Sequence, residues 1–268
     1  MMEFLIYLPL GVVSGVIAGL FGVGGGIVIV PVLLLTFDVL GLSLDVASHV
    51  AVGTSLACVV MTALSSSYNH YKKGAMLWTW IRRLVPFLIM GGVIGGWTAD
   101  QLHGETLTLM LGVFLMAMGL QLFLTAKRVV APGDEKRPHA AVIAVSGTAI
   151  GWLSAMMGIA GGAFLVPLMT SFGEQVKRAV GTASLLGLPT ATAGALTFMV
   201  TGWDAADRLP WSAGYVYLPA FLGIVATSTL AARFGVRLAH SLDQVVLKRL
   251  FATFLWLVAL RLLWRILG

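Results

Sequence analysis

Charge is scarce in this chain: only 10% of its 268 residues are charged, where a soluble domain averages about 25%. Cysteine is nearly absent. The single Cys58 lies in an apolar stretch, which excludes a disulfide framework or a multi-thiolate metal site within one chain. The eleven acids (Glu3, Asp38, Asp45, Asp100, Glu105, Asp134, Glu135, Glu174, Asp204, Asp207 and Asp243) all sit in or beside predicted loops. No carboxylate is therefore expected near a bilayer midplane, where a proton relay or a charged sodium site would need one. The histidines at 49, 70, 103, 139 and 240 are scattered without metal-ligand spacing, and Cys58 has no evident base. The reading is accordingly of a protein that is not an enzyme, with no catalytic residues, no metal and no cofactor.

What is abundant is apolar. Hydrophobic residues make up 59% of the chain and the mean hydropathy is +0.96, which is the composition of an integral membrane protein. The length accommodates roughly seven to nine spanning segments and no large soluble domain. A net charge of +6 then belongs to loops facing the cytoplasmic leaflet rather than to a nucleic-acid surface. Residues 4–20 lack a basic region ahead of them and run on past Pro31, so they read as structure rather than as a signal peptide.

Apolar runs bounded by charges and turn residues fall near 4–37, 46–71, 84–100, 106–126, 140–172, 179–201, 213–232 and 245–266. A basic, proline-containing stretch after the fourth run divides the chain into an N-terminal transmembrane repeat, residues 1–127, a cytoplasmic linker, 128–139, and a C-terminal transmembrane repeat, 140–268. The halves align: GVVSGVIAGLFGVGGGIVIVP from Gly11 matches GTAIGWLSAMMGIAGGAFLVP from Gly147 without gaps, and AVGTSL from Ala51 answers AVGTASL from Ala179. The apolar runs that follow each AVGT segment begin near Pro86 and Pro219. Duplicated, glycine-interrupted hydrophobic segments are the sequence sign of a secondary transporter and of where its site lies.

The first and fifth runs are too long for one crossing, since residues 4–37 as a straight helix would reach about 51 Å against a core of about 30 Å. Glycines Gly22, Gly24, Gly25 and Gly26, and Gly158, Gly161 and Gly162, mark where each run breaks. If each run re-enters and returns, the repeats are inverted; if each crosses, they are parallel, four segments apiece. Re-entry leaves only Arg208, Arg261 and Arg265 of the 17 basic residues on the outer side, so all-α, inverted repeats fit the positive-inside rule better than parallel 4+4 repeats. Gly11, Gly15 and Gly19 form a GxxxG series suited to helix packing.

Each break offers backbone N–H groups leading into a short helix, from about Gly26 to Leu35 and from about Gly162 to Met169, which makes an anion-binding nest reinforced by the helix dipole. The AVGT segments add hydroxyls, Thr54 and Ser55 in one half and Thr182 and Ser184 in the other. His49 precedes the first segment, and Lys177 and Arg178 precede the second, giving each half a cationic group at a helix start. Trp78, Trp80, Trp203 and Trp211 read as interfacial belt residues. Together these residues describe a carrier whose partners are an anion and the lipid bilayer.

The paired blocks GLFGVGGGIVIVP and MGIAGGAFLVP, each followed by an AVGT segment, with YNHYKKGAMLW after the first, resemble the TauE/SafE family of sulfite exporters and organosulfonate permeases. The resemblance covers essentially the whole chain. It implies a polytopic carrier, in a bacterial cytoplasmic (inner) membrane, for a small sulfur-containing anion such as sulfite, thiosulfate or sulfoacetate. The second block departs from the pattern in having Ala160 where the first has Gly24. Another small anion, or a membrane-embedded enzyme or scaffold, are the alternatives. The sequence leaves the exact substrate, direction, coupling ion and oligomeric state open.

Overall fold

A computed structural model describes residues 2–21, 25–72, 74–124, 138–205, 209–241 and 244–267. Among them the chain forms ten α-helices and one two-stranded hairpin. The helices are α1 (Met2–Phe21), α2 (Gly26–Val39), α3 (Leu44–Lys72), α4 (Trp78–Asp100) and α5 (Gly104–Leu124), then α6 (Ala140–Met156), α7 (Gly162–Ser171), α8 (Val176–Thr201), α9 (Leu218–Ser241) and α10 (Gln244–Leu267). Strands β1 (Ser212–Ala213) and β2 (Val216–Tyr217) pair antiparallel between α8 and α9. The protein is an all-α integral membrane protein. Eight apolar runs become ten helices because the first and fifth each break in two, at the glycines. Most of the linker, residues 128–137, lies outside the described residues.

Helices α3, α5 and α8 are each long and apolar enough to cross a membrane. The short members, α2 at 14 residues and α7 at 10, reach only about 21 Å and about 15 Å and cannot cross alone. Large apolar side chains stand exposed on the outer helices, among them Val93, Ile94 and Trp97 on α4, Val113 on α5 and Leu257 on α10. Water would penalise such a surface, whereas lipid tails accept it.

Packing of the interior relies on small residues, and it is matched between the halves. A methyl on Gly15 would come within 2.5 Å of the Ser228 carbonyl oxygen of α9, and one on Gly151 within 2.5 Å of the Leu88 carbonyl oxygen of α4. Thus α1 lies along α9, and α6 along α4, at backbone contact. Gly11 obeys the same constraint against Ile224 and Thr227, so the GxxxG series is a packing device where it is described. The α3 and α8 pair runs antiparallel through the centre, with Gly53 against Phe198 and Gly181 against His70. Cys58 is fully buried on α3.

The two ends of the first broken run lie together. Tyr7, near the start of α1, and Phe37, near the end of α2, both set their rings edge-on to Tyr217, at 5.9 and 6.1 Å between centroids. Beside them, Asp38 pairs with Arg265 of α10 at 3.0 Å and Arg261 at 3.5 Å. The second run behaves likewise toward α4: Gly147 of α6 abuts Leu84 and Phe87, and Phe172, just past α7, packs on Trp80 at 5.8 Å.

Two local readings change. Helix α4 begins at Trp78 rather than near Pro86, because Arg82 and Arg83 interrupt the apolar run but not the helix. Trp80 is not a belt residue: it is buried and its indole N–H donates to Glu174 at 2.7 Å. Trp78, Trp203 and Trp211 are exposed, as a belt requires.

Candidate functional site

The breaks share one backbone solution. Gly25 caps α2 with φ 79° and Gly161 caps α7 with φ 67°, a left-handed conformation that costs an ordinary L-residue roughly 1–2 kcal/mol. In each, the glycine carbonyl accepts two N–H groups: Val28 and Ile29 donate to Gly25, and Phe164 and Leu165 donate to Gly161, all near 3.0 Å. The first two N–H groups of each helix, Gly26 and Ile27 in α2 and Gly162 and Ala163 in α7, precede these bonds and have no intrahelical acceptor. That is the geometry of an anion nest. Gly22 and Gly24 lie outside the described residues.

The two breaks touch. A Cβ on Gly26 would stand 2.6 Å from the Gly158 carbonyl oxygen and 3.0 Å from the Ile159 Cα. Gly158 itself has φ 69°, and Ser55 donates its hydroxyl to the Gly158 carbonyl at 2.8 Å. Gly26, Ser55 and Gly158 therefore form one contact between the halves, and Gly161 and Gly162 follow directly from it.

The remaining candidates are distributed over other places. Thr54 and Thr182 are fully buried and accept N–H groups from the opposite half: Tyr217 donates to Thr54, and Leu77 donates to Thr182, each at 2.9 Å. Leu77 is the N-cap of α4 and Tyr217 immediately precedes α9, so each AVGT threonine holds the start of the corresponding helix across the molecule. Ser184 donates to the Val180 carbonyl and accepts from Ser66 at 3.3 Å. Lys177 and Arg178 are exposed in the first turn of α8.

His49 is buried at the edge of a separate cavity of about 390 Å³ lined by Asp45, Asp100, His103 and Tyr215 among others. Its Nδ1 lies 2.7 Å from the Asp45 carbonyl and its Nε2 3.0 Å from the Ala99 carbonyl. Both nitrogens are thus engaged by backbone, and the ring rests on Tyr215 at 5.1 Å. Burial pushes the Tyr215 hydroxyl up to about 12, helped by the negative charge of Asp100 and the hydrogen bond it makes to that carboxylate. Asp45 and Asp100 stand at helix ends, as the sequence placed them, and Asp45 accepts the N–H of Gly104 at the start of α5. Tyr215 gave no signal in sequence, since a tyrosine in a six-residue hairpin between two apolar helices belongs to no functional pattern.

Comparison with known proteins bears on the same residues. The family model described as sulfite exporter TauE/SafE matches residues 7–262, a span that contains both breaks and both AVGT segments. The chain belongs to the TauE/SafE family. A probable membrane transporter protein of Haemophilus influenzae is 33% identical over 258 residues, 96% of this chain and 97% of that protein. The probable membrane transporter YunE of Bacillus subtilis is 30% identical over 220 residues, covering 75% of this chain and 80% of its own length. A probable membrane transporter protein of Methanocaldococcus jannaschii is 26% identical over 266 residues, 97% of each chain. This TauE/SafE protein is thus a member of a membrane transporter family, and the Haemophilus and Methanocaldococcus relatives align with nearly its whole length.

Proposed function

We propose that this protein is a secondary transporter that exports a small sulfur-containing anion, such as sulfite, thiosulfate, sulfoacetate or another organosulfonate, across a bacterial cytoplasmic membrane. The substrate binds between two inverted repeats, at the glycine-broken helices. The observation that carries the reading is the pair of left-handed glycine caps, Gly25 and Gly161, at the amino ends of two short helices whose breaks touch through Gly26 and Gly158. Unpaired N–H groups inside a membrane are costly unless protein, water or substrate satisfies them. Re-entry of both runs is supported by Tyr7 and Phe37 sharing Tyr217, and by Gly147 and Phe172 both lying against the first three turns of α4. The family carries the sulfur.

Export needs no coupling ion. An anion leaving a cell that is negative inside gains about 2.3 kcal/mol per charge per 100 mV. The acidic side chains in the described helices stand near their ends, as at Asp38, Asp45, Asp100 and Glu105, so they leave the helix interiors free of fixed negative charge that would repel the substrate.

The test is flux from proteoliposomes loaded with radiolabelled sulfite. Efflux should accelerate when the lumen is made negative and slow when the potential is reversed, and choline should not move. Movement of choline alone, or of none of the sulfur anions, would sink the reading.

A further inference from the structure

Hydroxyls in these helices characteristically turn back on their own backbone: Thr36, Thr170, Thr190 and Thr197 each donate to the carbonyl four residues earlier, the usual behaviour of serine and threonine in membrane helices. Ser154 does not. It sits in the last turn of α6, is 0% exposed, and its Oγ has no hydrogen-bond partner. That oxygen lies 3.1 Å from where a Cβ on Gly161 would stand, beside the cap of α7. Just beyond, Gly162 faces open space, with no heavy atom within 4 Å of where its Cβ would be. A fully buried, unused hydroxyl is unfavourable by about 1–3 kcal/mol unless something fills it, and here it stands beside Gly161, the residue that leads into two N–H groups with no intrahelical acceptor.

The other break is built differently. Gly26, the residue that corresponds to Gly162 at the start of its helix, is closed off by the Gly158 carbonyl oxygen and Ile159. In the gapless alignment of the halves Ser154 stands opposite Ala18, which has no hydroxyl. A carbonyl oxygen at the mouth of α2 also repels an anion, whereas the mouth of α7 presents donors.

We propose that the amino end of α7, formed by the N–H groups of Gly162 and Ala163 together with the Ser154 hydroxyl, is a single seat for the oxygen atoms of a small oxyanion, and that the α2 break is its structural counterpart without a seat of its own. The proposal rests on the reading of the protein as an anion carrier and narrows it to one half. All three donors are uncharged. They suit a singly charged group, such as a sulfonate, better than a dianion such as sulfate, because the cost of removing an ion from water rises steeply with its charge. Phosphate offers similar oxygens, so it serves as a third probe.

Calorimetric titration of the full-length protein in detergent with methanesulfonate, sulfate and phosphate tests this. Methanesulfonate should bind more tightly than either of the others. Ser154→Ala should weaken it about tenfold to a hundredfold, the range for a lost hydrogen bond to a charged group. Gly162→Ala, whose methyl enters open space at an ordinary backbone conformation, should keep the melting temperature and weaken binding by obstruction. Ser14→Ala, on a buried serine whose hydroxyl already donates to Gly11, should bind as the parent does. Parent-like affinity in both Ser154→Ala and Gly162→Ala would overturn the seat while leaving the carrier reading intact. Sulfate binding as tight as methanesulfonate would overturn the assignment to a singly charged group. Failure of the parent protein to bind any of the three anions would overturn seat and carrier together.

Discussion

The Tyr217 N–H donates to the Thr54 hydroxyl oxygen at 2.9 Å, joining residues 163 positions apart, and the Leu77 N–H does the same to Thr182 across 105 positions. The sequence offers these threonines as hydroxyl groups for an anion. In the structure each oxygen is an acceptor that holds the start of a helix in the other half.

Thr54→Val and Thr182→Val should consequently destabilise the protein, by about 1–3 kcal/mol each, since a buried N–H is left without a partner. Thr→Ser at either site should retain most of the parent stability. Thermal unfolding in detergent checks this; unchanged melting in both valine variants would mean that the bonds do not matter to the fold.

Glycine substitutions should separate into three classes. Gly15→Ala and Gly151→Ala drive a methyl into the backbone of α9 and α4 and should lower folded yield, overpacking costing typically about 1–3 kcal/mol. Gly25→Ala and Gly161→Ala should cost about 1–2 kcal/mol through the left-handed backbone. Gly162→Ala should be silent in stability. Size-exclusion yield and melting temperature rank them, and a poorly folded Gly162→Ala beside a normal Gly15→Ala would contradict the packing described.

Cysteines introduced at Asp38 and Arg265 should label from the same side of the membrane, opposite to one introduced at Glu174, if both broken runs re-enter. Impermeant maleimide applied to intact cells and to inverted vesicles reads the sides directly. Labelling of positions 38 and 174 from one side would favour parallel repeats.

The Tyr215 hydroxyl should titrate near 12, well above the ordinary value of about 10. Its folded value is raised, so its contribution to stability is whole below about pH 10 and is lost as pH rises toward 12. Ultraviolet titration of the parent against Tyr215→Phe isolates it. Loss of the late-titrating phenol in the variant is expected; an unchanged titration curve would place that phenol elsewhere.

Much of the fold was legible because its cause is local. A cluster of glycines inside an overlong apolar run concentrates helix-breaking cost, and both breaks fall there, with Gly25 and Gly161 in the conformation that only glycine adopts cheaply. The start of α4 was hidden because Arg82 and Arg83 break an apolar run without breaking a helix. The bonds of Thr54 and Thr182 join segments 163 and 105 positions apart, which no window of sequence contains. Ser154 was missed for a related reason: one serine in a membrane segment ordinarily bonds its own backbone, and only its orientation in space distinguishes it.

The sealed position of Cys58 has a practical consequence. Because this sole thiol is 0% exposed, a water-soluble maleimide has no native sulfur to reach in the folded chain. The unaltered protein is its own blank for site-directed labelling, and reporter groups can be introduced in either half without first removing a cysteine.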